Sequence, residues 1–159
     1  MRGGRCRGNQ NGGTHPRGAD ESWKRHQLDR AVFQRLLDNH RSIDRRVEKL
    51  PNGIRSLTLS NDREVVALLH AHVPAMHRRL REGFPLRRWD PLYAAIFEQA
   101  DTIGMEIHAR ADGVEVIETS DDPHVVGLIQ AHAEAVSAFV AHGHAAASRP
   151  SPMPVNGDQ

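Results

Sequence analysis

The 159-residue chain has a single cysteine, Cys6. One thiol excludes an internal disulfide, a cysteine-based zinc site and CxxCH haem attachment. Its setting in MRGGRCRGNQNGGTHPRG reads as an exposed thiol. Aromatic residues make up only 4%. With acid close to the arginine clusters, that scarcity argues against a nucleic-acid binder. Long apolar runs are absent, so no membrane span is predicted. No apolar segment follows the basic N-terminal residues, so no secretory signal is read, which points to the cytoplasm. Walker A, GxGxxG, GxSxG, HExxH and EF-hand patterns are missing. The Glu-x-x-His of di-iron bundles is missing at His72 as well. No nucleophile–base arrangement can be read, so catalysis is not the expected role.

What is present is an asymmetry of charge. The net charge is only +1, but residues 32–83 carry +4 and residues 92–143 carry −8. Basic and acidic halves of this kind attract each other, within one chain or between two chains of a homo-oligomer.

The chain is also duplicated. Shifted by 60 residues, segment 32–83 falls on 92–143 without a gap, and 11 of the 52 positions are identical. They include Gly53/Gly113, Asp62/Asp122, His72/His132 and Gly83/Gly143. Each repeat reads helix, hairpin, helix. Helical spacing runs from Val32 to Val47 and from Leu92 to Ile107. Asn52-Gly53 and Asp112-Gly113 are hairpin turns. Asp62, Asp90 and Asp122 are N-caps, with Pro91 and Pro123 at first helical positions. The closing helices run over about 62–82 and 122–142. Gly83 and Gly143 sit at C-cap positions. Four helices of roughly 15–21 residues then form, as the simplest fold, a pseudo-two-fold four-helix bundle with short inserted β-hairpins. A second arrangement merges the hairpins into one four-stranded sheet with the helices on one face. One domain spans 28–143. Residues 1–27 and 144–159 read as disordered.

The candidate site comes from the helix periodicity. His72 lies within the apolar stripe Val65, Leu69, Val73, Met76 and Leu80, and His132 holds the same place in the second repeat. Buried imidazoles must satisfy their nitrogens. A hydrogen-bonded structural pair would do so, as would a shared ligand on the axis. His72 and His132 are therefore candidate ligands of a transition metal (zinc, copper or iron), or of the iron of haem b. His40 also falls on an apolar face, although helix rise places it about 9 Å out of level with His72. Met76, one turn after His72, is a further donor that would favour copper(I). His70, His77, His108, His124, His142 and His144 read as surface residues, as do His15 and His26. Pro74 reads as a bend. Arg78, Arg79, Arg81, Arg87 and Arg88 suit a helix C-terminus. Glu106, Glu115, Glu118, Asp121 and Asp122 read as solvated.

The segments LLDNHRSIDRRVEKLPNGIRSLTLSND, RRWDPLYAAIFEQADTI and VIETSDDPHVVGLIQAHAEAV resemble an uncharacterised family of small bacterial proteins, many of them exported. The resemblance covers about residues 32–143. It implies a place in the cell envelope and assigns no activity. The expected function is a small metal- or haem-binding helical protein for metal handling or electron transfer. The alternative is a non-catalytic binding or assembly module with buried structural histidines.

Overall fold

Asn52-Gly53 and Asp112-Gly113 close two antiparallel hairpins in the computed structural model, which describes residues 17–84 and 86–154. Cys6, His15 and the expected disorder over 1–16 and 155–159 lie outside the described residues. The first hairpin joins β1 (Ile43–Leu50) to β2 (Gly53–Ser60), and the second joins β3 (Gly104–Arg110) to β4 (Gly113–Thr119). These hairpins are not separate inserts. β2 pairs antiparallel with β4, giving one sheet in the order β1-β2-β4-β3. The four-helix bundle with short hairpins is therefore overturned, and the fold is α+β. The cause is physical: a lone two-stranded hairpin is marginal, and its open edge is satisfied by a second strand.

The strand pairing reveals the symmetry axis. Ser56 on β2 stands opposite Val116 on β4, its own counterpart in the repeat. The pseudo-two-fold therefore passes between them. Alternation along the strands puts Ile54, Ser56 and Thr58 of β2 and Val114 and Val116 of β4 on the buried face. The helices cover this face: α1 (Arg17–Asp38), α2 (Arg63–Glu82), α3 (Pro91–Glu98) and α4 (Pro123–His142). Asp62, Asp90 and Asp122 cap as the sequence predicts, accepting from the backbone N–H of Glu64, Leu92 and His124. Helix lengths differ from expectation. α1 extends back to Arg17, while α3 has only eight residues. α2 runs through the exposed Pro74. By length and composition α4 is apolar enough to cross a bilayer, but here its Val125, Leu128 and Ile129 are completely buried in the core.

The helices cross over. One apolar cluster combines Leu36 of α1 and Val65, Leu68 and Leu69 of α2 with Val114 and Val116 of the other repeat's β4. The other combines α3 and α4 with Ile54 of β2. The turns repeat the exchange. Gln130 Nε2 of α4 donates to the carbonyls of Leu50 and Gly53, both at 3.2 Å. Its counterpart His70 donates through Nε2 to Arg110 O at 2.9 Å and Gly113 O at 2.8 Å. His70, read from sequence as a surface residue, is thus a fixed tie to the opposite hairpin.

The tail also departs from expectation. Residues after Gly143 form a short helix, α5 (His144–Ala147), and then a strap held by the buried Asp90. Asp90 Oδ2 accepts from Ser151 N at 3.0 Å and Ser151 Oγ at 2.8 Å. Arg87 donates to the same carboxylate at 2.9 Å and to the carbonyls of Ala147 and Arg149. Its guanidinium lies over the rings of Trp89, Tyr93 and Phe139. Arg79, likewise buried, pairs with Asp29 of α1 at 2.6 Å. Two of the arginines that the sequence assigns to a helix C-terminus, Arg79 and Arg87, are therefore buried internal clamps. The charged halves meet across the repeats in exposed pairs such as Lys49–Glu134 and Arg55–Glu115, which contribute little to stability individually.

Gly53 and Gly113 test the crossing directly. A Cβ at Gly53 would collide with the backbone carbonyl of Glu118, and one at Gly113 with that of Thr58. Gly113 also has φ +155. Gly53→Ala and Gly113→Ala are each expected to cost more than about 2 kcal/mol in urea unfolding. A loss within a few tenths would mean that the hairpins do not touch as described.

Candidate binding cavity

Small hydroxyl side chains, Ser56 and Thr58, occupy the buried face of the central strand where larger apolar groups would fill a core. Above them lies a cavity of about 190 Å³ that straddles the pseudo-axis. Its wall includes equivalent residues from both repeats: Phe33 and Tyr93, Ser56 and Val116, His72 and His132, Met76 and Val136. Leu80, Ile96, Phe97 and Phe139 make much of the remainder apolar.

His72 comes from the middle of α2 and stacks on Phe33, with ring centroids 5.6 Å apart. Its Nδ1 is sealed from solvent and has no hydrogen-bond partner among the described residues. An unmade buried bond of this kind costs about 1–3 kcal/mol. Burial lowers the imidazole pKa to about 4; Asp29 opposes that shift and His132 adds to it. His72 is therefore neutral at ordinary pH. His132 sits differently. It meets Tyr93 edge to face at 5.3 Å, and its Nδ1 lies 3.8 Å from Glu118 Oε2. Burial likewise pushes the Tyr93 phenol pKa up and keeps it neutral.

Arg45 supplies the cation. It donates from Nη1 to Thr58 Oγ1 at 2.9 Å and from Nε to Ser137 Oγ at 3.2 Å. Burial lowers its pKa to about 10, against the pull of Glu118 and Tyr93, so it stays charged. Arg45 also lines a shallow outer depression beside His40 and Ser137, and so stands between the surface and the cavity.

The four sites expected from sequence separate. His72, His132 and Met76 share the cavity wall. His40 does not join them. It belongs to a 3-10 turn (His40–Ser42) after α1 and donates from Nδ1 to Val140 O at 2.7 Å. The metal centre is a correction: among the described residues, no group of three or more His, Cys, Asp or Glu is placed to hold an ion. Haem does not fit either. The cavity is close in size to an engineered one that takes benzene, and a porphyrin is several times larger than benzene. Sequence reasoning misses Arg45, Tyr93 and Thr58 and places Glu118 in solvent, but all four line the cavity. The alternation of Ile43, Arg45 and Val47, and of Val114, Val116 and Glu118, carries the signal that Arg45 and Glu118 point inward.

The sign of the His72 shift sets a pH dependence. Above the unfolded value of 6.5 both states are neutral and stability is complete. As pH falls below 6.5 the unfolded chain takes the proton first, and stability declines until the folded imidazole protonates near 4. Between pH 7 and 4.5 the protein is expected to lose roughly 2–3 kcal/mol more than His72→Leu in urea unfolding. Equal losses would mean that the imidazole is open to water.

No family model, no curated protein and no solved structure matches the chain.

Proposed function

We propose that the protein is a non-catalytic binding module that encloses one small, largely apolar molecule between its two repeats. The supporting observation is the cavity on the pseudo-axis, with His72 on its wall. Protein interiors pack to crystal density and leave few voids larger than water. A void of about 190 Å³ in the centre of the fold is therefore a feature with a use. Its size suits a ligand near benzene rather than a drug-sized compound. Neutral imidazole and phenol groups on an apolar wall offer hydrogen bonds without imposing a net charge. In this reading His72 and His132 serve pocket shape and polarity.

Toluene and phenol are suitable probes. Each is expected to raise the thermal midpoint, because a ligand at a hundred times its Kd adds about 2.7 kcal/mol to the folded state. Val136→Phe should fill the cavity and abolish the rise while the circular dichroism spectrum stays native. Thermal midpoints unmoved by either probe in the parent protein would overturn the proposal.

A further inference from the structure

Arg45 and Glu118 both line the cavity, but they are not paired with each other. Among the described residues no carboxylate lies within 4.0 Å of Arg45, whose side-chain hydrogen bonds go to the hydroxyls of Thr58 and Ser137. Glu118 is largely buried; among the described residues its nearest ion-pair partner is His132, at 3.8 Å, too far for a hydrogen bond, and it acts on Arg45 and Tyr93 only at longer range. A partly buried cation and a partly buried carboxylate thus face one largely apolar space without contacting each other, and each keeps capacity for an opposite charge. Their neighbours on α4 indicate the gap. Ser137 beside Arg45 and His132 beside Glu118 are five residues apart, about 7.5 Å along the helix.

We infer that the cavity takes a small zwitterion with an apolar side chain, a ligand of the hydrophobic α-amino-acid class. Its carboxylate pairs with the Arg45 guanidinium and its ammonium with Glu118. The side chain occupies the space between Phe33, Leu80 and Phe139. Charge bookkeeping favours this over a simple acid or amine. The wall already carries one positive and one negative group, so a net-neutral ligand leaves it balanced, and each of its charges gains an opposite partner. The head group is short enough to sit between residues at that spacing. The volume limits the side chain to about the size of leucine or phenylalanine. Arg45 stands on the wall shared with the outer depression, so the carboxylate meets its partner at the surface side of the cavity.

This inference rests on the binding reading above, and its test separates the two. L-Leucine is titrated calorimetrically beside 4-methylpentanoate, which lacks the ammonium, 3-methylbutylamine, which lacks the carboxylate, and glycine, which lacks the apolar body. Leucine should bind, and each truncated analogue should be at least about tenfold weaker. Arg45→Gln should weaken leucine and 4-methylpentanoate but leave toluene binding intact. Glu118→Gln should weaken leucine and 3-methylbutylamine in the same selective way. Toluene binding without leucine binding sinks this inference and leaves the cavity reading standing. Equal affinity for leucine and 4-methylpentanoate also overturns it, because the ammonium would then be idle. Failure of every probe removes both. Should either variant not fold, the analogue series on the parent protein decides.

Discussion

Neither repeat can bury its own hairpin, and the rest of the structure depends on that constraint. α2 lies over the strands of the second repeat and α4 over those of the first. β2 and β4, each an open edge within its own hairpin, complete one another. The turns are locked in the same crossed manner. Ser60 N–H donates to Asp112 O and Ser120 N–H to Asn52 O, both at 2.9 Å. Pulling the repeats apart would expose both apolar clusters and strip hydrogen bonds from both turns at once. A unit built this way unfolds cooperatively, although its sequence reads as two similar parts.

The crossing also creates the site. Where the halves meet on the axis, equivalent residues face one another, and the small Ser56 and Thr58 leave that junction hollow. The positions split by role. Those that keep their role build the frame: the cap pair Asp62 and Asp122, the turn pair Gly53 and Gly113, and His70 and Gln130, which differ in side chain but both donate N–H to turn carbonyls. Those that change chemistry gather polarity on the wall, where Arg45 replaces the position of Met105 and Glu118 that of Thr58. Duplication gave the scaffold, and divergence at a few inward strand positions gave the cavity distinct ends.

Much of this architecture is legible in sequence, and the illegible part has a single cause. The 60-residue offset, the Asn-Gly and Asp-Gly turns and the aspartate caps are local signals, and the structure contains them. Joining the two hairpins into one sheet is the second arrangement that the sequence allows, but strand pairing is long-range and no local pattern ranks it above the bundle. With the hairpins peripheral, as in the bundle, their strands have no inner face, and the other differences follow from that. Glu118 reads as solvated in sequence because a peripheral hairpin gives its strand no buried side. Arg45 was passed over for the same reason. His70 reads as a surface residue because its acceptors lie 40 and 43 positions away in the opposite turn. His72 and His132 were correctly placed facing inward by helical periodicity, but the frame that would join His40 to them was not there.

The two imidazoles also show why a shared ion is the wrong expectation here. A symmetric ligand needs equivalent donors, but His72 is stacked, sealed and unpartnered while His132 lies edge-on to Tyr93 and beside a carboxylate. The asymmetry extends to the charged groups. Arg45 belongs to the first repeat and Glu118 to the second, so the pair exists only when β2 has joined β4. A ligand held by both would add its binding free energy to that joint, since the unfolded chain offers no such pair. Occupancy and the integrity of the crossed fold are thereby coupled through the same sheet.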